Sequence, residues 1–164
     1  MVEQVLTPLR DVVAEERVEQ LGGFGGGLYN GAASNHPSNL GAPTILTLLG
    51  SRITHNNAVG SAAGPGGSSA GFGAGGGLWT GGTASLFDTD ISHTRAVGGD
   101  GSVGGNGFGG GVYNAAAASL RLERSTVIKN HANGGEGEGI GGGVFNLGSL
   151  DLDALTLIFD NLAS

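Results

Sequence analysis

The stretch Gly25-Gly26-Gly27-Leu28-Tyr29-Asn30 decides the fold, because the chain repeats its pattern four times. It returns as Gly75-Gly76-Gly77-Leu78-Trp79-Thr80, as Gly109-Gly110-Gly111-Val112-Tyr113-Asn114 and as Gly141-Gly142-Gly143-Val144-Phe145-Asn146. Each box is followed by a second segment of eleven residues that aligns without gaps: Leu48–Ala58, Leu86–Ala96, Leu122–Ala132 and Leu152–Leu162. A two-part pattern recurring at such intervals marks a repeat architecture.

The period of the apolar residues selects strands. Leu46/Leu48, Ala84/Leu86, Leu120/Leu122 and Leu150/Leu152 alternate with Thr47, Ser85, Arg121 and Asp151, which is apolar inside and polar outside. After a bend, Ile53, Ile91, Val127 and Leu157 bring an apolar residue back to the core. The parity then shifts, and Ala58, Ala96 and Ala132, with the position before each, are expected to point inward on a third short strand. Beyond residue 21 no segment keeps a 3.6-residue apolar period, and glycine is too frequent for helix interiors. Three short strands per repeat, separated by corners, describe one coil of a parallel β-helix.

Charge tests that register. Equivalent positions on neighbouring coils lie about 4.8 Å apart, so outward charges should meet opposite signs. Arg52 aligns with Asp90, Asp88 with Arg124, and Arg121 with Asp151; only Glu123 over Asp153 is a like pair.

Composition agrees with such a scaffold. The 164 residues include 36 glycines, yet 38% are hydrophobic, too many for a disordered chain. The net charge of −7 and the scattering of seven Lys and Arg argue against nucleic acid as a partner. Cysteine is absent, which removes disulfides and thiolate metal sites from consideration. No apolar run reaches the roughly 20 residues of a membrane span. The first 20 residues carry Glu3, Asp11, Glu15, Glu16 and Glu19 and lack the apolar centre of a secretory signal. The expected location is therefore cytoplasmic, or extracellular if the chain belongs to a longer exported protein.

Residues 1–21 stand apart from the repeats at 22–164. Val2, Val5, Leu6, Leu9, Val12 and Val13 fit one face of a capping helix. Alternatively Val13–Val18 aligns with Ile53–Ala58, and a degenerate half-coil over residues 5–20 is the favoured reading. The last residues, Asp160 to Ser164, stand where a further glycine box would begin, so both ends read as unfinished, and end-to-end association, a capping partner or flanking repeats outside this sequence are expected.

The glycine boxes, together with Ser125-Thr126-Val127-Ile128-Lys129-Asn130-His131-Ala132, resemble bacterial right-handed β-helix repeat proteins of the pectate-lyase-like superfamily. These include polymorphic outer-membrane and autotransporter-like surface proteins. The resemblance spans about residues 22–164 and implies an all-β, right-handed single-stranded solenoid of about four coils. It also implies inward polar ladders at coil corners. Asn56, Asn130 and Asp160 would form one, broken by Thr94, and Asn30, Asn114 and Asn146 another, broken by Thr80.

Two columns are candidates for ligand contact. Strand parity turns Tyr29, Trp79, Tyr113 and Phe145 outward, but the preceding glycines leave room for the strand to rotate, and packing in the core or in a groove is favoured over a surface that receives sugars. His55, His93, Lys129 and Phe159 form a second outward column, in which His55 and His93 are two imidazoles without a close third ligand. The β-helix lyases and hydrolases place acidic and basic groups on one outer face, and here Asp88, Asp90, His93 and Arg124 would be that set. Their expected role is instead an ionic ladder, because Arg52 and Arg124 already match both carboxylates. Asp100 lacks the repeated partners of a calcium nonapeptide, and the Gly-x-Gly-x-x-Gly at Gly71 lacks a strand–helix context. Gly60–Gly77, Gly98–Gly111 and Gly134–Gly143 therefore read as flexible corner loops in which glycine supplies positive φ and close coil stacking. Glu136, Glu138, His36 and His131 read as solvated surface residues. No metal or cofactor is expected. The sequence thus points to a non-catalytic structural, surface-adhesion or carbohydrate-binding module with a glycan or cell-surface ligand. A polysaccharide lyase or hydrolase is the alternative.

Overall fold

The computed structural model describes residues 2–6, 22–31, 44–64 and 69–164, with residues 2–6 described by backbone alone. They form a parallel β-helix whose four coils each visit five sheets, and every strand pair is parallel. Sheet 1 stacks Gly22–Phe24, Phe72–Ala74, Gly107–Phe108 and Gly139–Ile140. Sheet 2 stacks Leu28–Asn30, Leu78–Thr80, Val112–Asn114 and Val144–Asn146. Sheet 3 contains Thr44–Leu49, Thr83–Phe87, Ser119–Glu123 and Ser149–Leu152. Sheet 4 contains Arg52–Thr54, Asp90–Ser92, Thr126–Ile128 and Leu157–Phe159. Sheet 5 closes the coil with Asn57–Val59, Arg95–Val97, His131–Asn133 and Leu162–Ala163.

The coil is thus divided more finely than the three strands expected. The glycine box is not one corner but a hinge between two strands. Gly25, Gly75, Gly109 and Gly141 take φ of 60°, 67°, 62° and 69° there, a region that favours glycine. The N-terminal residues Val2–Leu6 add a fifth strand to sheet 3, pairing Leu6 with Leu48. Of the half-coil expected over residues 5–20, only Val5 and Leu6 are among the described residues, and the alignment of Val13–Val18 lies outside them.

Sheets 2, 3 and 4 enclose the apolar core. Leu48, Leu86 and Leu122 on sheet 3, Ile53 and Val127 on sheet 4, and Leu78 and Val112 on sheet 2 are fully buried, as the alternation required. Sheets 1 and 5 enclose nothing. On sheet 1 a Cβ added at Gly73 would stand 2.4 Å from the Ala58 carbonyl oxygen, one at Gly107 2.5 Å from that of Ala96 and one at Gly139 2.1 Å from that of Ala132. A Cβ on the hinge glycines Gly76, Gly110 and Gly142 would stand 2.4, 2.4 and 2.2 Å from the backbone of Arg95, His131 and Leu162. The facing positions on sheet 5 are Ala58, Ala96 and Ala132, all buried. The residues before them, Asn57, Arg95 and His131, are not buried, because strand alternation turns them away from the interior. Glycine against alanine lets two walls of the solenoid meet backbone to backbone.

Coil four departs from the gapless alignment. Leu152 pairs with Leu122, but Val127 pairs with Ile158 and Ala132 with Ala163, not with Leu157 and Leu162. One residue is inserted in the turn Asp153-Ala154-Leu155-Thr156, which Asp153 Oδ1 closes by accepting from the Thr156 hydroxyl at 2.7 Å. Ile158, not Leu157, therefore takes the core position.

The polar ladders shift accordingly. At the corner of sheets 4 and 5 the ladder is Asn56, Thr94, Asn130 and Asn161, all in inward positions, and Asp160 is not a member. Nor does Thr94 break it. Asn130 Oδ1 accepts from the Thr94 amide at 2.9 Å and lies 2.9 Å from the Thr94 hydroxyl, while Asn130 Nδ2 donates to the Ile91 carbonyl and to Asn161 Oδ1. The ladder at the corner of sheets 2 and 3 is weaker. Asn30 Nδ2 donates to Thr80 Oγ1 at 3.0 Å and Asn114 Nδ2 to Asn146 Oδ1 at 2.6 Å, but the buried Asn114 Oδ1 has no hydrogen-bond partner. A third ladder, which the sequence reading missed, runs through Ser51, Thr89 and Ser125 at the corner of sheets 3 and 4. Its hydroxyls donate to the Leu49, Phe87 and Glu123 carbonyls two residues back.

Candidate functional site

With the core sealed, chemistry is confined to the outward columns. On sheet 2 the strand alternation that buries Leu78 and Thr80 turns Trp79 out, and its neighbours follow. Tyr29, Trp79, Tyr113 and Phe145 form one stack, with ring centroids 4.6, 6.2 and 5.3 Å apart in turn and planes within 7°, 9° and 29°. Parity therefore held: the column is outward, with Tyr29 half exposed and the other three partly covered. The rings spend their faces on one another. Along coils two and three solvent meets ring edges, whereas sugar rings pack on aromatic faces. Partial burial raises the Tyr29 and Tyr113 hydroxyl pKa values above the ordinary phenol value. The buried indole Nε1 of Trp79 has no hydrogen-bond partner.

Sheet 1 contributes a second aromatic column that the sequence reading missed. Phe24 meets Phe72 edge-on at 5.1 Å and Trp79 at 5.8 Å, and Phe108 lies 5.1 Å from Phe145. Outward rings of two successive sheets touch, so one continuous aromatic surface crosses the hinge. The signal in the sequence was partial: Phe24 and Phe108 share the position just before the glycine box with Ala74 and Ile140, whereas Phe72 stands two residues earlier, in register with Gly22.

The second candidate column sits on the corner between sheets 4 and 5. His55, His93, Lys129 and Asp160 all take left-handed φ, at 58°, 56°, 54° and 52°. Asp160 and not Phe159 is thus the coil-four member, because of the inserted residue; Phe159 pairs with Ile128 instead. The His55 and His93 rings stack at 5.2 Å with planes 3° apart. Among the described residues no three His, Asp or Glu side chains converge so as to hold a metal ion.

The acidic and basic residues on sheets 3 and 4 are brought together in pairs. Arg124 donates from Nε and Nη2 to the two oxygens of Asp88, both at 2.8 Å. That hydrogen bond holds the Asp88 carboxyl below the ordinary aspartate value and lifts the guanidinium above its own. Asp90 accepts from the Thr126 hydroxyl at 2.8 Å and the Ser92 hydroxyl at 3.1 Å, and lies 3.5 Å from Arg52. Arg121 reaches Asp151 at 3.6 Å and contacts Glu123 on its own strand. All three expected coil-to-coil pairs are formed. The like pair is relieved differently: Glu123 turns to Arg121 and Arg124, while Asp153 accepts from the Arg124 amide and from Thr156, which lowers its pKa. His93 takes no part in these pairs; it lies against His55. On sheet 5, His131 contacts the Ser164 hydroxyl at 2.8 Å, and burial, followed by the charge of Arg95, lowers its pKa.

The chain belongs by its fold to the parallel β-helices, solenoids built from stacked repeats. It matches no protein-family model, and no curated protein or solved structure is significantly similar to it. No described helix is long and apolar enough to cross a membrane.

Proposed function

We propose that this chain is a non-catalytic β-helix module of pectate-lyase-like type that serves as a structural or adhesive surface element. The observation that carries the reading is the forked pair between Arg124 and Asp88. A lyase or hydrolase needs a base or acid free to meet substrate. Here the two carboxylates of the candidate set face guanidinium groups of adjacent coils, and Asp90 is further engaged by two hydroxyls. These groups pin one coil to the next. The half-exposed Tyr29, which ends the stack and gives only one face to a neighbouring stacked ring, is then the place where a glycan or cell-surface ligand would rest.

The test is to incubate the chain with uronate polymers and with neutral glucans. Intact polymers, with retention on an immobilised glycan that weakens in Tyr29→Ala, support the reading. Release of oligosaccharides that disappears in Asp88→Ala or Arg124→Ala overturns it in favour of a polysaccharide-degrading enzyme.

A further inference from the structure

Coils one to three turn from sheet 4 to sheet 5 on three residues, of which the middle one points inward. They are His55-Asn56-Asn57, His93-Thr94-Arg95 and Lys129-Asn130-His131. The middle residue is held in the polar ladder, as Thr94 is by Asn130 at 2.9 Å, and this fixes the backbone that carries the outward pair. The left-handed corner stacks His55, His93 and Lys129 in one column, and the register of sheet 5 sets Arg95 between Asn57 and His131. Five basic side chains thus share one face. His55, His93, Arg95 and Lys129 are exposed, and His131 is partly buried.

This face departs from the charge pattern of its surroundings. Elsewhere a base meets an acid on the next coil, as Arg52 meets Asp90, Arg124 meets Asp88 and Arg121 meets Asp151. Here base lies over base. The two imidazoles stack at 5.2 Å, and Arg95 stands close enough to His131 for its charge to add to burial in lowering the His131 pKa. Among the described residues neither Arg95 nor Lys129 forms an ion pair. The neighbouring groups do not answer them. Asp90 on sheet 4 is held by Arg52, Thr126 and Ser92, His131 contacts the Ser164 hydroxyl, and Asp160, next to Lys129 in the column, makes no ion pair. Like charges on adjacent strands destabilise the pairing, and a bound anion would relieve that cost.

We propose that the corner of sheets 4 and 5 on coils one to three is a binding face for a sulfated glycan, with Arg95 and Lys129 as its permanent charges. Imidazole takes up a proton in mild acid, so acidification adds charge to the face. A sulfate ester keeps its own charge through that range, whereas carboxylates begin to lose theirs. The choice of a glycan rests on the module reading above, but the face is separate from Tyr29, which lies on sheet 2.

The experiment passes the full chain over immobilised dextran sulfate and over unsubstituted dextran, at neutral and at mildly acidic pH. The expected result is saturable binding to the sulfated polymer, tighter in acid and weakened by salt, as counterion release requires. Arg95→Gln with Lys129→Gln lowers the affinity about tenfold, the sum of two exposed charge contacts. His55→Gln with His93→Gln leaves the neutral affinity nearly unchanged and reduces the gain in acid. Arg121→Gln, which removes a cation from sheet 3, and Tyr29→Ala alter neither. Absence of binding to the sulfated polymer, an equal loss in Arg121→Gln, or an undiminished acid gain in the histidine variant would overturn the proposal. So would tighter binding of carboxymethyl dextran or of single-stranded DNA, since the occupant would then be of another class. Retention of unsubstituted dextran through Tyr29 without binding of its sulfate would overturn this inference alone. Cleavage of uronate polymers alongside binding of the sulfate would support it and overturn only the module reading.

Discussion

One half of each coil is filled with large apolar side chains and the other half with no apolar side chain larger than alanine. Where sheets 2, 3 and 4 face one another, leucine, isoleucine and valine occupy the interior. Where sheet 1 meets sheet 5, glycine backbone touches backbone. The two halves close the same solenoid by opposite means. The first gains its stability from apolar burial and can relax around a deletion. The second brings hydrogen-bonded main chains into direct contact and has no flexible atom to give way.

Adding a side chain to the glycine half should therefore do more harm than removing one from the leucine half. At Gly110 a Cβ would meet the carbonyl oxygen of Gly142 at 2.4 Å and two backbone atoms of His131 at 2.4 and 2.6 Å. Gly110→Val is expected to abolish cooperative folding, read as loss of a thermal transition by circular dichroism. Gly110→Ala should cost more than the roughly 1–3 kcal/mol of an ordinary overpacked core. A Gly110→Ala protein as stable as the parent would show that the walls can part, and the contrast would fail.

Leu122→Ala probes the filled half. The fully buried side chain sits at the middle of the core, and its truncation should cost about 2–5 kcal/mol by denaturant unfolding. The fold should survive, since neighbours from three sheets can close on the cavity. A complete loss of structure would mean that both halves are equally brittle.

The corners between the halves should respond less, and unequally. Asn130→Ala strips partners from the Thr94 amide and the Ile91 carbonyl, two buried groups, at about 2–3 kcal/mol. Asn114→Ala should cost less, because Asn114 Oδ1 already lacks a partner. Equal effects would show that the two ladders contribute alike.

Why the sequence revealed one half better than the other follows from the same contrast. Leucine alternation is local, and it placed Leu86, Leu122, Ile91 and Val127 inside without further information. The outward charges then fixed the register, since Arg52, Asp88 and Arg121 each find the partner expected. Glycine carries no such pattern. Gly76, Gly110 and Gly142 read as flexible corner residues, and only the distance to the opposite wall reveals them as packing residues. The coil-four insertion was hidden for a related reason. Leu157 and Ile158 are both apolar, so either fits the core position, and only the pairing with Val127 and the left-handed φ of Asp160 decide between them. The outward turn of Trp79 was legible from parity. The consumption of the ring faces by stacking was not, because it depends on four coils at once.

The smallest effect belongs to the outer surface, where the forked pair of Arg124 and Asp88 lies in solvent. Exposed pairs contribute little, so Asp88→Asn should leave the melting temperature nearly unchanged at neutral pH compared with the changes above. Its signature lies in the pH dependence. The Asp88 carboxyl has a lower pKa in the folded chain than in the unfolded one, chiefly through the hydrogen bond from Arg124. Between those two values the unfolded chain binds more protons, so stability rises with pH. The contribution is present above the ordinary aspartate range and is lost as pH falls through the lowered value. Melting curves of the parent and of Asp88→Asn should therefore converge on acidification and separate, by a small margin, above it. Asp153 shares the same direction of shift, through Thr156, and must be held constant for the comparison. Curves that stay parallel across the acid range would show that Asp88 and Arg124 do not couple in solution. The assignment of that pair to fastening coil two to coil three would then fall.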